Sequence, residues 1–211
     1  MTAAATPDRP RLLARALRLE YLTVGWNIIE GIVAIGAAMA SGSVALLGFG
    51  IDSFVESASG SVMIWRLLAE RHADEDDEER IEHAERRAQK LVAASLILLA
   101  AYIAWDSVTS ILAGERPEPS LVGIVLAIAS LSVMWWLAQQ KRRVGVALGS
   151  RAMAADAFQT DACFWLSLFL LVGIGANAIL GWWWADPVAA LGMTLFIARE
   201  ALEAWRGDDD D

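Results

Sequence analysis

SGSVALLGFGIDSFVE (Ser41–Glu56) enters a hydrophobic run and carries two acids inside it, Asp52 and Glu56. They lie four residues apart, so on a helix they share one face, one turn from each other. An ionisable side chain within a membrane span is costly and by default marks function. Two on one face mark a place for a cation. The reading therefore turns on whether the rest of the chain supplies a membrane domain, a partner face and a path.

Composition answers the first point. The chain has 211 residues, 56% of them hydrophobic, ten Trp and a mean hydropathy of +0.44. A spanning helix needs roughly 20 mainly apolar residues. Six stretches qualify, at about residues 19–40, 43–67, 90–113, 120–139, 152–180 and 184–205. They are too long for strands, and lipid admits only helices or closed barrels. The expectation is an all-α membrane protein with six transmembrane helices, one domain over residues 1–211. Three polar segments flank the spans: a cytoplasmic N-terminal segment at 1–18, an acidic cytoplasmic loop at 69–89 and an acidic tail at 207–211. The N-terminal segment has no apolar core before span one and so does not read as a cleavable signal. A formal net charge of −9 points away from nucleic acid. A single cysteine, Cys163, excludes an internal disulfide framework.

Lys and Arg set the orientation. Arg9, Arg11, Arg15 and Arg18 precede span one; Arg66, Arg71, Arg80, Arg86, Arg87 and Lys90 surround the connection from span two to span three. Lys141, Arg142, Arg143 and Arg151 lie between spans four and five, and Arg199 and Arg206 close span six. Only Arg116 falls on the other side. The positive-inside rule then makes both termini cytoplasmic, in the plasma membrane. The outer connections are short, and three adjacent Trp at Trp182–Trp184 suit an interfacial belt.

Other polar residues fall inside the spans. Glu20, Asn27 and Glu30 lie near one stripe of span one. Glu20 sits where cytoplasmic headgroups would be. Glu30 is near mid-span, either a structural hydrogen-bonded acid or part of a pathway. Asp106, toward the outer end of span three, either lines an exit or caps polar packing. Span four carries no charge and reads as scaffold or a lipid-facing helix. In span five, SRAMAADAFQTDACFWLSLFLLVGIGANAIL, a rotation of about 100° per residue sorts the polar side chains. Asp156, Gln159, Thr160 and Cys163 share a stripe, and Asp161 points almost opposite to the midpoint of Gln159 and Cys163. A lone cysteine is often a small buried hydrophobe; its alignment with Asp156 and Gln159 also fits a ligand.

The connection ERHADEDDEERIEHAERRAQK holds both histidines, His72 and His83. Imidazole and carboxylate both ligate divalent metals, but no tight ligand spacing is present. Acids and Arg at i, i+3 and i+4 favour a solvated helix extending from span two or into span three. With both His in one loop and no nucleophile–base pairing, the chain is not expected to be an enzyme. It also lacks a GxxxxGK[ST] phosphate loop, so ATP is not expected to drive it.

SGSVALLGFGIDSFVE and ADAFQTDAC, followed by WWADPVAALGMTLFIAREALEAW, resemble the membrane domain of the cation diffusion facilitators. The resemblance covers about the whole chain. It implies six spans and export of divalent metals, usually zinc, iron, manganese, cobalt or cadmium, often in exchange for protons. The family pattern SGSxALLADAxHSxxD, laid on without gaps, puts Asp52 at the first ligand position and Glu56 at the second. The pattern ADAxHxxxD matches Asp156 to the leading Asp, Gln159 to the ligand His and Cys163 to the ligand Asp. The implied metal set is Asp52, Glu56, Gln159 and Cys163, with Asp156, Asn27, Glu30 and Asp106 as pathway or supporting residues.

The sequence departs from that pattern. Gln and Cys replace His and Asp, giving three oxygens and one sulfur. Zinc accepts thiolate and carboxylate, while Gln is a poor ligand and thiolate favours softer ions. The chain ends just after span six, without the family's usual cytoplasmic C-terminal domain, as in a divergent member. Homodimerisation is then expected through membrane helices, with the Asp-rich loop as the other route. The implied mechanism is alternating access, with the cation between spans two and five near the midplane. No permanently bound cofactor is expected; the transported divalent metal, zinc first, and protons are the partners, together with the lipid bilayer. Two other readings use the same acids: a proton-coupled carrier of a small organic cation, and a non-transporting membrane partner whose polar residues join helices.

Overall fold

Each apolar run folds as one helix. The computed structural model describes residues 9–70 and 78–206, with α1 (Arg9–Ser41), α2 (Val44–Glu70), α3 (Glu78–Ala113), α4 (Leu121–Leu148), α5 (Arg151–Leu180) and α6 (Ala185–Arg206). No strand occurs among the described residues.

Three helices overrun their apolar stretches at the end of the bundle that carries the basic residues. α1 starts at Arg9, α3 at Glu78, and α4 continues to Leu148. The added residues are largely Leu, Ala, Arg, Glu, Gln and Lys, all strong helix formers, so hydropathy does not set these boundaries. The segment expected as an acidic loop at 69–89 is therefore helical from Glu78. His72 and the tail at 207–211 lie outside the described residues, as does the side chain of His83.

The turn between α4 and α5 is short because its chemistry is suited to it. Gly149 has φ +66°, a left-handed conformation that costs glycine little. Ser150 N donates back to Gly145 O at 3.1 Å, closing α4. The Ser150 hydroxyl then caps α5 by accepting from Met153 N.

α1 packs on α2 and α4, α4 on α5, and α2 reaches α5, so these four helices enclose a common interior. α3 pairs with α6, which also meets α5 and α2. Small residues permit the closest approaches. A Cβ on Gly31 would lie 2.8 Å from the Phe54 ring and 3.0 Å from Gly50 O, which brings the α1 and α2 backbones together.

The interior is layered. One apolar cluster, including Ala34, Leu46, Phe49, Ile103 and Leu170, fills the half next to the short connections. A second, including Leu17, Leu67, Met134 and Met153, fills the half near the basic end. Polar side chains lie between them: Asn27, Glu30, Asp52, Ser53, Glu56 and Ser130 are all buried. The outside carries large apolar groups, among them Met39, Leu98, Trp105, Leu121 and Leu195, each more than 70% exposed. Buried acids under an apolar exterior reverse the arrangement of a water-soluble domain and fit lipid as the surrounding solvent. By length and apolarity alone, α1, α4 and the Asp156–Leu180 part of α5 are long enough to cross a membrane. α2 and α6 are diluted by their charged and small residues, and the apolar portion of α3 within the described residues is Ile97–Ala113.

At the short-connection end, two sequence motifs meet. The Ser43 hydroxyl donates to Asp186 Oδ1 at 2.5 Å and accepts from Leu46 N at 3.1 Å, while Ala45 N donates to Asp186 Oδ2 at 3.4 Å. Asp186, from ADPVAAL, thus satisfies the open amides at the start of α2, next to SGS.

Candidate cation site

The buried stripe of α1 runs through Glu20, Thr23, Asn27 and Glu30, and that of α2 through Asp52, Ser53, Glu56, Ser57 and Gly60. Because α1 and α2 pack face to face, their polar residues meet. Asn27 Nδ2 donates to Glu56 Oε2 at 2.7 Å. Ser53 Oγ donates to Glu30 Oε2 at 3.1 Å, and Trp26 Nε1 donates to Glu30 Oε1 at 3.1 Å. Ser130 of α4 lies beside Glu30. Asp52 is 3% exposed and lies close enough to Glu30 for direct electrostatic interaction.

α5 closes the other side. Cys163 is 2% exposed; its thiol is within hydrogen-bonding reach of Glu56, and it also feels the charges of Asp52 and Glu30. It packs in the apolar cluster nearer the basic end as well, so its surroundings are half apolar and half acidic. Gln159 is only partly buried, and its carbonyl accepts from Ser59 Oγ of α2 at 3.0 Å.

The structure therefore brings Glu30, Asp52, Glu56 and Cys163 together, with Asn27 behind Glu56 and Gln159 at the edge. Glu30 is hydrogen-bonded and also faces Asp52. As the side chains stand, no three His, Cys, Asp or Glu among the described residues close around one metal position. Asp106 is apart from the group: it is partly exposed, and its charged neighbour is Glu115 in the α3–α4 connection. Asp161 points to α4, where it pairs with Arg142 at the surface.

Asp156 has a different partner from the one its stripe suggests. Its Oδ2 accepts from Lys141 Nζ at 2.6 Å, and the same ammonium donates to Glu20 Oε2 at 2.9 Å. Lys141 and Glu20 are both 0% exposed. The sequence placed Lys141 in the connection between spans four and five; the structure puts it inside α4, facing the bundle interior, with Glu20 buried against it. The signal was present in the spacing. Ser130, Met134, Leu137, Lys141 and Val144 alternate by three and four residues, which carries the buried face of α4 through Lys141 and leaves Arg142 and Arg143 outside.

The cation efflux transmembrane domain family matches residues 21–206. The chain belongs to this family. That agrees with the resemblance drawn from the second-span and sixth-span motifs, and an integral membrane protein follows. An uncharacterised transporter of Synechocystis sp. is 31% identical over 82% of this chain and 56% of its own length. The magnetosome protein MamB of Magnetospira sp. is 25% identical over 87% of this chain and 61% of its own. The cation-efflux pump FieF of Shewanella oneidensis is 23% identical over 77% of this chain and 55% of its own. The chain spans a little over half the length of these cation efflux relatives.

Proposed function

We propose that this chain moves divalent metal cations, zinc foremost, across the plasma membrane by proton antiport with alternating access. Both termini face the cytoplasm, and membrane helices join two copies. The cation is held between α2 and α5 by Asp52, Glu56 and Cys163, with Gln159 at the edge. The observation that carries this reading is the buried pair Asp52 and Glu56, set against Glu30 and Cys163 inside a bundle whose exterior is apolar. Carboxylate and thiolate together suit zinc. Acids buried together favour a cation or protons, so a metal ion and protons compete for the same oxygens. The relatives' description as transporters and as a cation-efflux pump supports transport over enzymatic chemistry.

Purified protein in sealed vesicles tests this. Zinc flux is expected to follow an imposed pH gradient at fixed membrane potential. Flux that ignores the gradient would point to uniport, and no zinc flux with no zinc-dependent thermal stabilisation would overturn the reading.

A further inference from the structure

Lys141 is a cation held inside the bundle. A buried ammonium is expensive unless paired and hydrogen-bonded, and this one has two carboxylates, from α1 and α5, at 2.9 and 2.6 Å. Two acids face one base, and the two carboxylates are close enough to act on each other directly. Glu20 Oε1, fully buried, has no hydrogen-bond partner. The arrangement is a cation-binding pair of carboxylates with acceptor capacity left over.

Its place is as informative as its chemistry. A Cβ on Gly60 of α2 would lie 3.8 Å from Glu20 Oε2, and Gly60 is one turn beyond Glu56. Asp156 is one turn before Gln159, which itself bonds Ser59. The pair therefore sits directly between the Asp52–Glu56 face and the end of the bundle where α1 begins and α6 ends.

We infer that Glu20 and Asp156 form a second site for a divalent cation, on the route between the Asp52–Glu56 face and that end, and that Lys141 is the tethered cation filling it when no metal does. The inference rests on the transport reading for its route, though not for its chemistry. Two carboxylates with water are a sufficient set for a hard or borderline divalent ion. The flexible four-carbon stem of lysine allows the ammonium to leave and return. An arriving ion exchanges with the ammonium, so the carboxylates are not left without a positive charge.

Zinc counted per chain at equilibrium, on the purified protein, tests this. The Asp52→Asn/Glu56→Gln chain is the background, so that the first site is silent. At a free zinc level where the background chain holds none, adding Lys141→Met, which removes the competing ammonium, is expected to raise bound zinc by one per chain, and adding Glu20→Gln to that variant is expected to remove it. A merely structural triad would give no new zinc. An unchanged count in the Lys141→Met variant overturns the inference. If Lys141→Met folds only with zinc in the buffer, the inference stands; if it folds neither with nor without zinc, it falls. The background chain alone reports separately on the transport reading: if it binds as much zinc as wild type, that reading fails while the Lys141 result keeps its meaning.

Discussion

Asn27 on α1 donates its amide to Glu56 on α2 across 2.7 Å, while its own carbonyl oxygen, equally buried, has no partner. The bond fixes the rotamer of one carboxylate of the candidate site from behind. Groups that orient a ligand in this way typically cost about 10–100-fold in metal affinity when removed. Asn27→Ala is expected to weaken zinc binding on that scale, measured by titration of purified protein. Unchanged affinity with lowered thermal stability would make Asn27 a helix-joining residue only.

The acid pair has the sharper expectation. Asp52→Asn and Glu56→Gln keep shape and hydrogen bonding while removing charge. Each is expected to abolish zinc flux in vesicles and to leave the helical content and unfolding temperature close to wild type. Wild-type flux in the double variant would remove both residues from the site.

Asp186 tests the motif junction. Its carboxylate accepts from Ser43 and from the start of α2, and it is 1% exposed. Asp186→Ala strands those donors in an apolar setting, which costs about 1–3 kcal/mol for a buried unsatisfied group. Thermal unfolding in detergent should show the loss, and Asp186→Asn, which keeps an acceptor oxygen, should recover part of it. Equal stability of Asp186→Ala and wild type would mean that water serves those donors instead.

Hydropathy made the six helices legible, because the apolar runs are long and lipid leaves few alternatives. The α1 stripe of Glu20, Asn27 and Glu30, and the α2 face of Asp52 and Glu56, were legible as helical spacing. Their meeting across Gly31 and Gly50 was not, since a periodicity gives the face of each helix but not the neighbour it turns toward. Lys141 was missed for a different reason. Charge marks the membrane boundary, and a lysine just past an apolar run counts as loop by that rule. Only its acid partners, 121 residues before it and 15 after it in the chain, keep it inside. Asp156 shares a stripe of α5 with Cys163, yet the stripe alone does not reveal Lys141 as its neighbour in space.

Span five offers a choice between charge and geometry. Asp161 is the carboxylate nearest in sequence to Cys163, and a count of acids would select it as a metal ligand. Its side chain pairs with Arg142 of α4 on the outside of the bundle. The pair lies away from the acids of α1 and α2, so Asp161→Asn is expected to leave zinc affinity unchanged. Cys163 lies instead against Glu56, in reach of Asp52 and Glu30. Cys163→Ala removes the one soft donor, so zinc affinity should fall and preference should move toward harder ions such as manganese or magnesium. Competition titrations of the two variants measure both effects. Because Cys163 is the only thiol, zinc should also slow its alkylation by a small membrane-permeant reagent in the wild-type protein. Loss of transport in Asp161→Asn, together with wild-type behaviour of Cys163→Ala, would move the α5 side of the site by half a turn, onto the face of Ala157 and Asp161.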